Sequence, residues 1–484
     1  MIKGLALVSL CAAAACAHHD PNGDGDGKTD APPAPPDSFA GPFSDFPTGP
    51  IIDDPTMMTP ADSSTLFGDP TTGAATGGPC LFEPEVNTVY PRNWIRPRFT
   101  WLAGAGENLF ELRITTPTQV NALVVYTTAT QWTMPQDIWN GLTSHSVNTP
   151  LTVAIRGGAF DGTQLTSIEH GSTGDISIAP VDAPGAIVYW TTSQGTKLNG
   201  FHIGDESVKN IITTADTGTQ CIGCHSSTPD GDFVGFSATQ TANNGDPAFL
   251  GMMSSDGTHT TPSYITTTGQ TLMNRVGQEL PVYTKMHWTT GDRIVVSMFP
   301  AAARDAANHE HFDIAWTDLE ATSAATGTGT VARTGDTYTA MVNNAPMTLP
   351  SAAASATFAH TTDSMLYVSA PDVHAGITVT QGKLMTVPYG NRAGGVATPI
   401  TTSPTGTTFN EYYPVYSPDD AYVAFNRVPT GESSYNNAHA EVCIVPAAGS
   451  TTPKRLAAND PPACTAKASP GVTNSWPKWA PAAT

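Results

Sequence analysis

Thr228-Pro-Asp-Gly-Asp-Phe-Val-Gly-Phe-Ser237 and Ser417-Pro-Asp-Asp-Ala-Tyr-Val-Ala-Phe-Asn426 are two copies of one pattern, matched position for position. Weaker copies stand at Thr289-Thr-Gly-Asp-Arg-Ile-Val-Val-Ser297 and Thr361-Thr-Asp-Ser-Met-Leu-Tyr-Val-Ser369. In each, a strand leads into a tight turn that needs Pro, Asp or Gly, and a second, buried strand leaves it. A third strand follows: Phe249-Leu-Gly-Met-Met253, Phe312-Asp-Ile-Ala-Trp316, Lys383-Leu-Met-Thr-Val387 and Glu441-Val-Cys-Ile-Val445. A fourth follows after Gly-rich turns. Four strands repeated around an axis predict a β-propeller.

The Ser-Pro-Asp turn of this repeat resembles the TolB-like propeller family, over residues 186–484 within a predicted propeller domain of 184–484. The resemblance speaks for the fold and only weakly for function. Blade number follows from the ends. Ser475-Trp-Pro-Lys-Trp-Ala-Pro481 copies only the start of the repeat, like Tyr413-Pro-Val-Tyr-Ser-Pro418. Ala186-Ile-Val-Tyr-Trp190 and Leu198-Asn-Gly-Phe-His-Ile203 read as second and third strands without a first. The C-terminal strand is therefore expected to complete the blade opened by 186–214, giving five blades, with six as the alternative.

Ahead of the propeller, residues 85–183 alternate as half-buried strands, in Arg98-Phe-Thr-Trp101, Leu109-Phe-Glu-Leu-Arg-Ile114, Ala122-Leu-Val-Val-Tyr126 and Leu151-Thr-Val-Ala-Ile155. Turn-formers separate them at the spacing of a β-sandwich, similar to a fibronectin type III or immunoglobulin-like module. Trp101 and Trp132 read as core. The fold class is all-β throughout. Residues 16–84 are rich in Pro, Gly, Asp and Thr and read as a disordered acidic tether. Within it, Asn22-Gly-Asp24-Gly-Asp26-Gly27-Lys-Thr-Asp30 alternates carboxylates as calcium loops do, and resembles a thrombospondin type 3 or dockerin half-repeat. It lacks a flanking helix and a terminal Glu, so a plain acidic spacer is the favoured reading and Ca2+ the alternative.

The chemistry lies at Cys221-Ile-Gly-Cys-His225. Two thiols three positions apart, with an imidazole next, match covalent c-type haem: Cys221 and Cys224 as thioethers, His225 as proximal ligand. A redox dithiol wants a strand–helix context and a zinc site wants a second Cys pair; Cys80, Cys443 and Cys464 supply none at short spacing. Aligning the repeats with one gap sets Met286, Phe358, Pro414 and Pro477 opposite His225. Met286, His287 and His360 are therefore the candidate sixth ligands, each also readable as a packing residue. Met252 and Met253 read as core. His309-Glu-His311 with Asp313 could chelate a divalent ion but reads more simply as a polar loop. No nucleophile elbow, phosphate loop or zincin motif occurs, so enzymatic activity is left open.

The first 15 residues carry Lys3, an apolar run from Gly4 to Leu10 and small residues, an export signal too short to span a bilayer permanently. Ala13-Ala14-Ala15-Cys16 resembles a bacterial lipobox, which implies lipidation of Cys16; Ala17 rather than Asp implies outer-membrane sorting. Ordinary signal cleavage nearby is the alternative. With Cys16 lipidated and two thiols on haem, Cys443 and Cys464 are expected to form a disulfide, and Cys80 has no assignment. The chain has 484 residues and a formal charge of −21, which argues against nucleic acid or an anionic membrane surface as partner. The expected function is an outer-membrane-anchored mono-haem cytochrome passing electrons to a redox or envelope partner, with the membrane met only through the lipid. The alternatives are a TolB-like interaction scaffold with an auxiliary haem, and an oxidase or dehydrogenase whose second cofactor site is not found.

Overall fold

The computed structural model describes residues 41–479 apart from 56, 241–247, 276, 305–309, 331–336, 343–344, 351–352, 371–377, 391–392, 395, 403–408, 451 and 468–473. The signal segment, Cys16 and the acidic loop at 22–30 lie outside the described residues, as does His309. Among the described residues no helix is long and apolar enough to cross a membrane.

The N-terminal module forms because alternation buries one face of each strand. Its strands are β1 (Ile51–Asp53), β2 (Cys80–Glu83), β3 (Val89–Tyr90), β4 (Arg98–Leu102), β5 (Leu109–Thr115), β6 (Leu123–Thr127), β7 (Gln131–Thr133), β8 (Leu151–Phe160) and β9 (Leu165–Ile178). One sheet runs β1-β6-β5-β8-β9-β3 and the other β2-β4-β7. Phe99, Trp101 and Trp132 of the small sheet meet Leu112, Ile114, Val125 and Val153 of the large one in a single core. Each fully buried side chain of this kind contributes roughly 1.5–3 kcal/mol. A helix, α1 (Gln136–His145), closes one side; it starts behind Pro135 and buries Ile138, Trp139 and Leu142.

The expected boundary at residue 85 is corrected. Residues 42–84 are not a free tether: Phe46 is 1% exposed within the sandwich core, and β1 pairs in parallel with β6. Phe67 packs on Leu109 and Tyr126. Arg156, 3% exposed, binds the buried carboxylate of Glu111 through Nε and Nη2 (3.1 and 2.8 Å) and donates to the carbonyls of Asp69 and Thr72. The Pro, Gly and Asp residues form turns between these anchors, so composition alone misread a folded segment.

The propeller follows. Its first sheet is β10 (Ala186–Thr191), β11 (Lys197–His202) and β12 (Lys209–Thr213); its second is β13 (Cys221–Ser227), β14 (Phe233–Thr239) and β15 (Phe249–Ser254). The third comprises β16 (Glu279–Tyr283), β17 (Ile294–Arg304), β18 (Glu310–Asp318) and β19 (Thr328–Thr330). A hairpin, β20 (Thr337–Val342) with β21 (Ala345–Pro350), precedes the fourth, which is built on β22 (Ala353–Phe358), β23 (Ser364–Ser369) and β24 (Lys383–Gly390). The fifth is β25 (Phe409–Tyr416), β26 (Tyr422–Pro429), β27 (Glu441–Pro446) and β28 (Lys454–Arg455). The leading strands β13, β16, β22 and β25 are neighbours in that order, which is the radial arrangement of blades. Apolar faces of successive blades pack on each other, as where Ile294, Val296 and Ile314 meet Phe358, Met365 and Tyr367.

Two expectations change here. The described part of the C-terminal copy, residues 475–479, forms no strand and makes no ladder with β10. It lies instead along β25: Trp476 stacks on Tyr413 (3.6 Å between centroids), its N–H reaches Asn426 Oδ1 (2.9 Å), and Trp479 Nε1 donates to the carbonyl of Val415 (3.2 Å). The disulfide joins Cys464 to Cys80 of β2, not to Cys443. Cys443 sits on β27 with its side chain fully buried in the core of the last blades. Cys464 stands on a short 3-10 turn, Ala463–Thr465, that packs against the sandwich.

Candidate functional site

Each leading strand of a complete blade is kinked at one place. Pairing skips between Ile222 and His225 in β13, Glu279 and Val282 in β16, Ala354 and Thr357 in β22, and Tyr412 and Val415 in β25. These are β-bulges, where an extra residue leaves the ladder and re-aims its side chain. Leu280, Ser355 and Tyr413 adopt left-handed φ of 52°, 45° and 51° there, and Trp476 of the C-terminal copy has 57°. The residue that follows is Pro281, Ala356, Pro414 and Pro477 in turn.

The strand ends fix the equivalences. The closing turn bonds run from Thr228 N to Phe233 O, Thr284 N to Ile294 O, Ala359 N to Ser364 O and Ser417 N to Tyr422 O. Counting back from them, Cys224 occupies the position of Leu280, Ser355 and Tyr413, and His225 that of Pro281, Ala356 and Pro414. The expected pairing of His225 with Met286 and Phe358 is therefore corrected. The reason is the turn of the third blade, which is longer and holds a 3-10 segment at Trp288–Thr290. Met286 and His287 fall inside that turn, and His360 inside the next. Met286, His287 and His360 stand five, six and four residues beyond the positions equivalent to His225, past the ends of their strands.

The motif itself has mixed geometry. Cys221 and Cys224 are free thiols, each half-buried. Gly223 between them has open space where a Cβ would stand. Burial pushes the Cys224 thiol up to about 12, with the nearby charge of Glu279 adding to it. His225 faces the other way. Its register partner is Phe236, whose face packs on the first blade, and its Nε2 lies 3.2 Å from the carbonyl of Val188 on β10. Burial lowers the imidazole's affinity for a proton, against the pull of that carbonyl, so the ring is neutral at neutral pH. The donor set of two thiols and one neutral imidazole fits a c-type haem, and the open side at Gly223 leaves room beside the thiols. The imidazole is the one group turned away, and it would have to exchange Val188 for iron.

Nearer the mouth lies a polar chain that sequence reasoning missed. Lys285 Nζ donates to His360 Nε2 (2.8 Å), and His360 Nδ1 lies 3.0 Å from Asp420 Oδ1. The backbone N–H groups of His360 and Thr361 also donate to Asp420. These bonds hold the Asp420 carboxyl below its usual range although burial acts the other way. Burial lowers the Lys285 ammonium to about 8, and the like charge of Lys478 adds to this. Burial also lowers the Lys478 ammonium. His287 Nε2 lies 2.7 Å from Asp363, and Met286 is 46% exposed. The repeated Leu280-Pro281, Tyr413-Pro414 and Trp476-Pro477 dipeptides were the available signal for this level of the ring. Met252 is core, as expected. Among the described residues no group of three or more His, Cys, Asp or Glu is placed to hold a metal.

No family model and no curated protein matches this chain. Solved structures do. An oligogalacturonate lyase in complex with manganese superposes at a TM-score of 0.32 with 9% identity, over 56% of this chain and 62% of the lyase. A prolyl endopeptidase superposes at 0.31 with 10% identity, over 57% of this chain and 42% of that one. The β-propeller domain of the Trilobed protease from Pyrococcus furiosus, described as having an open velcro topology, superposes at 0.30 with 8% identity, over 63% and 79%. This chain thus spans less than two thirds of the length of the first two. Each of these is a distant likeness.

Proposed function

We propose that this protein is an exported mono-haem c-type cytochrome built on a TolB-like propeller, held at the outer membrane by lipidated Cys16 and acting in electron transfer. The observation that carries the reading is the pair of unoxidised thiols, Cys221 and Cys224, flanking an open glycine on the one leading strand whose bulge is not occupied by Leu, Ser or Tyr. The haem would supply a one-electron couple. Cys221 and Cys224 would hold its edge, and His225, already neutral, would need no proton loss before ligating iron. Tyr413, near enough to Cys224 to feel its charge and stacked on Trp476, would shield the thiol face from water. Lys285 and Asp420, bridged by His360, leave the mouth polar, which suits an encounter with a soluble redox partner rather than a lipid.

The test is chemical. Full-length protein matured in a periplasm with a competent attachment system is denatured, purified and read as the pyridine haemochrome. We expect one covalent haem per chain, lost in Cys221→Ala/Cys224→Ala. A haem-free wild-type chain would overturn the reading and leave the interaction scaffold, for which the exposed Trp476, Trp479 and Met286 around the mouth are the supporting observation.

A further inference from the structure

The sandwich holds a buried carboxylate that nothing in the redox reading uses. Glu107 lies in the turn before β5 and is only 9% exposed. Its Oε2 accepts from the N–H of Gly104 (2.6 Å), while Oε1 is buried with no hydrogen-bond partner among the described residues. An unpaired buried carboxylate oxygen is costly. The surroundings deepen the cost. Glu107 lies flat on the backbone of Gly157, whose absent Cβ would stand 2.5 Å from the carboxyl carbon. Gly157 pairs directly with Glu169 on β9, so the Glu169 side chain rises from the same face beside Glu107. Burial, with a smaller contribution from the like charge of Glu169, raises the Glu107 carboxyl to about 7.

The backbone adds further oxygens. The segment at 73–80 runs along β9, with Ala74 bridged to Glu169 and Gly78 N–H on the carbonyl of His170. It brings the Gly77 carbonyl over the same cleft: a Cβ on Gly104 would meet Gly77 O at 2.4 Å and Glu107 Oε2 at 2.7 Å. A Cβ on Gly77 would in turn meet Glu169 Oε2 at 2.3 Å. Gly77, Gly104 and Gly157 are thus each required to be glycine by one shared pair of carboxylates. Glu169 is only half-buried, which leaves the cleft a solvent entrance.

We infer that Glu107 and Glu169, with the Gly77 carbonyl, form a site for a hard divalent cation of the Ca2+ class. Two adjacent carboxylates and a carbonyl in an irregular, glycine-lined cleft suit a large ion that accepts uneven oxygen geometry, whereas Mg2+ demands a regular octahedron. The ion would neutralise both charges and satisfy the orphan oxygen. It would also tie the 73–80 segment to β9 and to the turn before β5, and so brace the part of the chain that Cys80 staples to the propeller.

The experiment uses the full chain, stripped with a chelator and titrated calorimetrically with CaCl2, with MgCl2 in parallel. The variants are Glu107→Gln, Glu169→Gln and, to silence the acidic loop, Asp24→Ala/Asp26→Ala. We expect wild type and the loop variant to bind Ca2+ with the same affinity at this site and to melt at a higher temperature when loaded. Each Glu→Gln variant should lose at least tenfold in affinity while keeping the wild-type near-ultraviolet circular dichroism. Binding that survives both Gln variants, binding lost only in the loop variant, or no calcium binding by wild type would each overturn the inference. Haem content plays no part in these outcomes.

Discussion

Replacing Cys464 by Ser tests the pairing of Cys80 with Cys464 more sharply than any other change. The bond closes a loop of 384 residues and links the second strand of the sandwich to the segment that follows the last blade. In the chain-entropy account a crosslink of that span restricts the unfolded chain by roughly 6 kcal/mol at 25 °C, against the 2–5 kcal/mol that removal of native disulfides commonly costs. We expect a loss between those bounds. With about 2 cal/mol/K per residue of unfolding entropy over some 440 residues, each kcal/mol corresponds to about 1 °C, so the midpoint should fall by about 2–6 °C. Cys80→Ser should reproduce the loss and the double variant should add little to it, because both remove one bond. Cys443→Ala should cost only about 1 kcal/mol, the value of a small vacancy in a packed strand. Non-reducing peptide mapping by mass spectrometry gives the direct readout, as one linked pair containing Cys80 and Cys464. A linked pair containing Cys443, or a Cys464→Ser protein as stable as wild type, would refute the reasoning.

Two other outcomes follow. The stabilising contribution of Glu107 in the metal-free protein should be lost as pH rises: burial raises its folded carboxyl to about 7 from an ordinary 4.5, so the protonated form favours the fold. This contribution is fully present below about 4.5 and is lost, by roughly 3 kcal/mol, as pH climbs through 7, a component that Glu107→Gln should remove in chelator-treated thermal melts. If haem is attached, Met286→Ala, His287→Ala and His360→Ala should each leave its spin state unchanged, because these residues lie in the turns, four to six positions beyond the level of His225. His225→Ala should shift the Soret band, and a low-to-high-spin change in any of the first three would show that the level assigned from the turns is wrong.

Much of the propeller was legible because a two-residue alternation and a Pro-Asp turn leave direct traces in sequence: the turns at Thr228 and Ser417 appear where the repeat put them. Blade phase was harder. Aligning the copies with one gap misplaced Met286 and Phe358, since nothing in the letters shows that the third blade's turn is longer. The bulges were written in the X-Pro dipeptides, but a Pro inside a strand reads as an interruption until the ladder around it is seen. Disulfide partners were not readable at all, because Cys80 and Cys464 meet only through the docking of two domains. The folded part of the N-terminal segment was hidden for a different reason. Phe46, Ile51 and Phe67 are spaced too widely for any periodic signal, and each is held by a strand far away in the chain.

The bulge at Cys224 also makes a nearly fivefold object lopsided. Four spokes carry Leu280, Ser355, Tyr413 and Trp476 at that level, and one carries sulfur. Anything approaching along the axis therefore encounters a dial with a single mark, and a partner that works through the sulfur-bearing spoke must read angle as well as distance. Recognition would then have to be steered by features that differ from blade to blade, which is where the unequal turns, rather than the shared strands, become the informative part of the molecule.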